Sequence, residues 1–268
     1  MTASELYERS KHTAKLLARL RSASKIAFAH FGISLLLSAI VAAWIFFVWF
    51  PYPFNELSHG KQLFIILIAV DVVCGPLLTL VLYDANKEKY KWHIDVAIIV
   101  TIQLCALAYG IHSLMVSRPV FLAFEGNRYR VVQYADIQSQ LDENKQFPLP
   151  WGRPQLIGVQ LAKSTDSDFL ESIKLSLNGL PPAFRPSRWV PYESEREDVQ
   201  DALKPLASLS KKKPEAKFLI NEVLRRENVD EGQVGYLPLV QNSVDDWVVL
   251  VNRDSAMPVA FLQLDGWE

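Results

Sequence analysis

The sequence predicts three transmembrane helices followed by a soluble α+β domain with an antiparallel sheet. Three observations carry that prediction. Half of the 268 residues are apolar and unevenly spread: residues 1–116 hold three long apolar runs, whereas residues 117–268 hold short mixed segments. Each run (Ile26–Phe50, Leu63–Leu82 and Ile94–Val116) reaches the roughly 20 residues that a helix needs to cross about 30 Å of hydrocarbon. Beyond residue 117 the apolar stretches are brief and bounded by Gly, Pro, Asn and Asp, the punctuation of strands and turns.

Residues 1–25 form a basic segment carrying Arg9, Lys11, Lys15, Arg19, Arg21 and Lys25. It reads either as an amphipathic helix on the inner leaflet or as a positive tail that continues the first membrane helix. The first run, 26–50, exceeds the roughly 7–15 residues of a signal-peptide core and reads as an uncleaved anchor. Phe50-Pro51-Tyr52-Pro53 ends it, because proline lacks an N–H donor and restricts its predecessor. The loop 83–93 adds Lys87, Lys89 and Lys91, whereas the connection between the first two runs holds only Lys61. The positive-inside rule then expects the N-terminus and second loop in the cytoplasm. Three crossings put the C-terminal domain outside, in the periplasm if the cell is Gram-negative. Trp49 and Tyr52 suit the outer interface, Tyr90 and Trp92 the inner one.

The second run poses the chemical question. Asp71 stands inside it, followed by Gly75 and Pro76. A central Asp costs about 2.5–3.5 kcal/mol on insertion, whereas the fourteen Leu, Ile, Val and Phe of the segment contribute about 4–8 kcal/mol in favour. The helix therefore inserts, and the carboxyl group must face another helix or a wet crevice. Pro76 should kink the helix and free the carbonyl of Val72, and Gly75 permits close approach of a neighbour. Counted from the outer helix ends at 1.5 Å per residue, Asp71 lies about 12 Å deep, Ser38 about 18 Å and Gln103 about 20 Å, a difference that side chains can largely bridge. Two readings stay open: a kinked bundle helix whose protonated Asp71 bonds within the bundle, or a partner-binding or ion-coupling site.

After Arg118-Pro119 the pattern changes. Val120–Phe124 and Tyr129–Tyr134 read as a hairpin around Glu125-Gly126-Asn127, and Leu156–Leu161 as a short strand. Asp166 is expected to cap a helix with Phe169, Ile173 and Leu177 on one face. Ser194 and Glu197 have capping-box spacing ahead of Val199, Ala202 and Leu203. Pro214 opens a third helix whose buried side would be Phe218, Leu219, Val223 and Leu224. Gly235–Val240, Trp247–Val251 and Val259–Leu264 read as an antiparallel meander, with turns at 242–246 and 252–255.

Catalytic signatures are lacking. There is no Walker loop, G-x-G-x-x-G, G-x-S-x-G or C-x-x-C. All five histidines (His12, His30, His59, His93 and His112) precede residue 117, so the exported domain lacks the commonest general base and metal ligand. Asp166/Asp168 and Asp245/Asp246 sit where caps and turns recruit Asp anyway. No catalytic residue, metal or cofactor is expected. Cys74 and Cys105 read as small packing residues, and the exported domain has no cysteine to staple it. With a net charge of −1, no affinity for nucleic acid is expected.

Four stretches, "WFPYPFNELSHGKQLF", "DVVCGPLLTLVLYDANK", "QLCALAYGIHSLMVSRPVFLAFEGNRYRVVQYADI" and "PVAFLQLDGW", resemble the TfpX/TfpZ family of type IV pilin accessory proteins over essentially the whole chain. D-V-V-x-G-P-L-L-T-L and R-P-V-x-x-x-F carry most of the likeness. The resemblance implies an inner-membrane protein that aids surface piliation and twitching motility of its cognate major pilin, by modulating pilus assembly or retraction. It implies no catalytic residues. For a pilin amine near the cytoplasmic face, Asp95 is better placed than Asp71. Asp71, Gly75, Pro76, Asp95 and Gln103 are therefore the candidate contacts to a partner within the bilayer. The competing expectation is a membrane-bound transferase that modifies pilin. The oligomeric state is left open.

Overall fold

The computed structural model describes all residues except 1–2, 59, 84–86, 144–146, 215, 242–243 and 268. The chain divides into two units, a helical one (Met1–Phe47 with His59–Met115) and a mixed one (Val48–Ser58 with Val116–Glu268).

Helix α1 is unbroken from Ala3 to Trp44 and ends in a π-helical turn, Ile45–Trp49. Helix α2 is a single turn, Phe54–Leu57. Helix α3 (Gly60–Ala69), a π-helical step (Val70–Cys74) and α4 (Gly75–Leu82) follow without interruption, and α5 runs from Lys89 to Ser117. Among the described residues three helical spans, Arg9–Trp49, Gly60–Leu82 and Lys89–Ser117, are long and apolar enough to cross a membrane. Phe28, Ile33, Leu36, Ile65, Ile66 and Leu104 on these spans are more than half exposed. So large an apolar surface is unfavourable in water and natural in hydrocarbon. Cys74 and Cys105 are exposed on the same surfaces, so neither is the packing residue that its sequence context suggests. Where helices do meet, small residues allow it. A Cβ on Gly110 of α5 would lie 2.2 Å from Leu67 Cδ1 of α3, and Ser34 and Ser38 of α1 are buried.

The mixed unit is built on an eight-stranded sheet. Its strands are β1 (Pro119–Phe124), β2 (Tyr129–Gln133), β3 (Gln155–Val159), β4 (Trp189–Val190), β5 (Lys204–Pro205), β6 (Val234–Gln241), β7 (Val244–Asn252) and β8 (Pro258–Leu262). The order is β4-β3-β1-β2-β6-β7-β8, with β5 on β6. The C-terminal meander and the β1–β2 hairpin are antiparallel, as their alternation predicts. The sheet as a whole is mixed, because β1–β3 and β2–β6 are parallel. These two pairings join strands far apart in sequence, and no local pattern encodes them. The central strands are buried on both faces. Trp247, Val249 and Val251 of β7 enter one apolar cluster, and Val248 and Leu250 enter the other.

Five helices surround the sheet: α6 (Tyr134–Ile137), α7 (Phe169–Leu177), α8 (Arg196–Ala202), α9 (Leu206–Lys212) and α10 (Ala216–Glu227). Three local expectations fail. Helix α7 begins after Asp168, while Asp166 closes the preceding turn through the Lys163 N–H; Leu170, Ile173 and Leu177 are exposed, and only Ser172 is buried. Ser194 donates back to the Pro191 carbonyl instead of forming a box with Glu197, since a 3-10 turn occupies Tyr192–Glu195. On α10 the buried row is Ala216, Ile220, Val223 and Leu224, whereas Phe218 and Leu219 are exposed. Of the two C-terminal turns, 242–243 lie outside the described residues. In the other, Asn252 Oδ1 accepts from the Asp254 and Ser255 N–H groups at 3.0 and 2.9 Å.

The connection between the first two long helices belongs to the mixed unit. Trp49, Phe50, Phe54 and Leu57 are buried in it, Trp49 Nε1 donates to the Trp151 carbonyl at 3.1 Å, and Ser58 Oγ donates to Gln241 Oε1 at 3.2 Å. Trp49 is thus a core residue of this unit, at the end of the first candidate span.

Candidate functional site

The second long helix departs from α-geometry at the residues that the sequence singles out. Asp71 lies in the π-helical step, and Gly75-Pro76 restart the α-helix as its first turn. A π-step moves the carbonyl partner from four residues back to five. Pro76 has no N–H to give, so the acceptor facing it is the carbonyl of Asp71, not that of Val72 as α-helical spacing predicts. A neighbouring helix supplies the missing donor: Gln103 Nε2 of α5 donates to the Asp71 carbonyl at 3.1 Å. Only glycine permits this, because a Cβ on Gly75 would lie 2.1 Å from Gln103 Nε2.

The other end of the amide continues the network. Gln103 Oε1 lies 2.9 Å from His30 Nε2, and His30 Nδ1 lies 2.7 Å from Thr79 Oγ1. Thr79 Oγ1 is also 3.0 Å from the Gly75 carbonyl, one turn back on its own helix. Because Gln103 Oε1 only accepts, His30 Nε2 must donate to it. A neutral ring then accepts the Thr79 proton at Nδ1. A protonated ring instead donates to Thr79 and leaves that hydroxyl to the Gly75 carbonyl. The junction therefore holds α1, the π-step, α4 and α5 together in either state of the imidazole. In hydrocarbon such cross-helix bonds contribute about 0.6 kcal/mol each and at most about 1.7.

The five candidates divide. Gly75, Pro76 and Gln103 act together with the Asp71 backbone at one junction. The Asp71 carboxyl is 7% exposed, and its Oδ1 has no hydrogen-bond partner among the described residues. Asp95 lies elsewhere on α5 and pairs with Lys87, so it is no free carboxylate. Sequence reading missed His30 and Thr79. Thr79 was visible in D-V-V-x-G-P-L-L-T-L, three residues past the proline. His30 carries no motif, and only its depth in the first span could have pointed to it.

The mixed unit holds its own buried polar groups. Glu125 (2% exposed) accepts from Arg128 Nε at 3.2 Å, Arg130 Nε at 3.0 Å and the Ala183 N–H at 3.3 Å. Tyr192 donates its hydroxyl proton to the Ala256 carbonyl, so the Tyr129 hydroxyl, 2.6 Å away, donates to Tyr192. Burial and this partner push the Tyr129 hydroxyl well above its ordinary range. Arg118, from R-P-V-x-x-x-F, is 4% exposed, with its guanidinium 5.2–5.9 Å from the rings of Trp49, Tyr134 and Trp151. Burial holds it below the usual arginine range. These are fold-holding arrangements: Glu125, Tyr129, Tyr192 and Arg118 are buried, and Arg128 is partly exposed. Among the described residues no cluster of three or more His, Cys, Asp or Glu is placed to hold a metal ion.

The chain is similar to known proteins over nearly its full length. The family model described as "Fimbrial assembly protein FimB" matches residues 18–59. The "Fimbrial assembly protein, serogroup I" of Dichelobacter nodosus is 33% identical over 256 residues, covering 93% of this chain and 98% of that protein. The serogroup E1 protein of the same organism is 32% identical over the same shares, and the protein of serogroups C1 and C2 is 39% identical over 44% of this chain and 91% of its own. No solved structure matches.

Proposed function

Because this chain belongs to the fimbrial assembly protein family, we propose that it is a pilin accessory protein of the TfpX/TfpZ type. It sits in the inner membrane with its N-terminus in the cytoplasm and its mixed unit in the periplasm. It binds its cognate major type IV pilin and thereby modulates pilus assembly or retraction, and with it twitching motility. It acts by binding and not by catalysis. The observation that carries this reading is Asp71, buried within a π-step with its Oδ1 unpartnered among the described residues. An acid in a membrane-spanning helix is a functional candidate by default. Basic segments at 9–25 and 87–91, against Lys61 alone in the loop between the first two spans, support the orientation.

The test combines deletion with two substitutions. Deletion should leave the pilin's mass unchanged while surface fibres fall; a mass shift would favour pilin modification instead. Asp71→Asn and Asp95→Lys are then scored by photocrosslinking to pilin from the second long helix. Asp71→Asn should weaken crosslinking and Asp95→Lys should not, since Asp95 is already paired. Unchanged crosslinking in Asp71→Asn removes the carboxyl from the contact. Deletion in a retraction-deficient strain separates the two modes: restored fibres point to retraction, continued absence to assembly.

A further inference from the structure

At the opposite end of the junction from Asp71, α1, α4 and α5 enclose a cleft of about 260 Å³. Its walls are Ile26, Ala29 and Ile33 of α1, Leu82 at the end of α4, and Val96 and Ile99 of α5. His30 and Thr79 form its floor, and both are already hydrogen-bonded to each other and to Gln103. Tyr83, Trp92 and Asp95 stand at its mouth, with Asp95 engaged by Lys87. The cleft is thus apolar along its length and lined at one end by the aromatic residues favoured at a membrane interface.

The walls are aliphatic from floor to mouth, a lining that a single alkyl chain fills by dispersion contacts. An empty apolar cleft in a bilayer forfeits dispersion contacts, so the nearest chain of suitable width fills it. The charge around the mouth selects the headgroup. Lys25 lies one helical turn outside Ala29; Lys91, one turn outside Asp95, is held in an exposed pair with Glu88 at 3.0 Å that a phosphate would have to displace. Among the described residues near the mouth, Arg19, Arg21, Lys25, Lys87, Lys89 and Lys91 outnumber Glu88 and Asp95; these two acids pair with Lys91 and Lys87 respectively. Arg19 also donates to the Val81 and Tyr83 carbonyls at the end of α4, which fixes a cation beside the mouth.

We propose that this cleft is a binding site for one anionic glycerophospholipid of the surrounding leaflet, with an acyl chain between α1, α4 and α5 and its phosphate at the Lys25/Lys91 rim. The site lies apart from Asp71 and does not depend on pilin binding, so loss of the pilin interaction leaves it standing.

The experiment uses the full chain in nanodiscs and native mass spectrometry, with phosphatidylglycerol and phosphatidylcholine of equal chain length as probes. The wild type should retain one phosphatidylglycerol in preference to phosphatidylcholine. Val96→Trp fills the cleft and should abolish retention. Ala29→Phe does the same from α1, in case the first variant fails to fold. Lys25→Glu and Lys91→Glu leave the cleft open and should each lower the phosphatidylglycerol preference about fivefold. Equal retention of both lipids by the wild type, or undiminished retention in a folded cleft-filling variant, overturns the proposal. So does a photocrosslinker at Ile33 that captures polypeptide in place of lipid.

Discussion

The helical and mixed units bury polar groups in opposite ways. In the helical unit the polar junction is neutral in composition (an amide, a hydroxyl, an imidazole and two backbone carbonyls), and each bond crosses between helices or closes a helical turn. In the mixed unit the buried polar centre is ionic, with Glu125 between Arg128 and Arg130. Hydrocarbon offers no water to complete a partly met charge, so this junction uses dipoles, the Lys87–Asp95 pair lies near the end of α5, and the Asp71 Oδ1 has no hydrogen-bond partner among the described residues. The mixed unit can surround a carboxylate with two guanidinium groups and a backbone N–H and keep one guanidinium partly wet. The contrast teaches that a buried polar residue must be judged against its solvent before it is read as a site.

The largest effect expected of this comparison is at Glu125. Glu125→Leu strands Arg130 and the Ala183 N–H, and should cost about 3–5 kcal/mol in denaturant unfolding of the full chain. Glu125→Gln, which keeps an acceptor, should recover part of it. Gly75→Val comes next: its branched side chain meets Gln103, and overpacking of this kind costs about 1–3 kcal/mol. It should also break the Gln103–Asp71 bond, which engineered cysteine crosslinking between α4 and α5 would register as altered spacing. Tyr192→Phe leaves the Ala256 carbonyl without its donor and the Tyr129 hydroxyl without its acceptor, at about 1–3 kcal/mol. Gln103→Leu removes two such bonds and should cost about 1.2 kcal/mol, and at most about 3.4. If it proves as damaging as Glu125→Leu, the neutral junction is not the weaker device and the comparison breaks.

The smallest effect is a pH dependence in the mixed unit. Burial raises the Asp136 carboxyl, outweighing the Gln133 N–H and Arg130, which act to lower it. An acid whose folded value lies above its unfolded one favours folding when protonated. Stability from this group should therefore fall as pH rises from about 3.8 through the raised folded value. Asp136→Asn, which keeps an acceptor for Gln133, should flatten that slope in acid titrations followed by tryptophan fluorescence.

Much of the molecule was legible in the sequence because hydrophobic run length and turn chemistry are local. The three long spans, the β1–β2 hairpin and the C-terminal strands follow from them, and so does the break in α-geometry at Asp71, Gly75 and Pro76. Helix faces were less legible. The α7 row of Phe169, Ile173 and Leu177 has helical period but finds no core to enter, while α10 rotates so that Phe218 faces out. Periodicity marks a stripe without saying which element, if any, covers it.

Tertiary structure alone decided the rest. It turned the connection 48–58 into core, with Trp49 under Arg118 and Trp151, and made the sheet mixed by pairing strands separated by long intervals. It chose a π-step over a simple proline kink, which moved the orphan carbonyl from Val72 to Asp71 and brought Gln103 and His30 to it. The physical reason is common to these cases. The sequence determines which groups cannot be left in hydrocarbon or buried unpaired; which neighbour satisfies them depends on residues tens of positions away that only the folded chain brings within 3 Å.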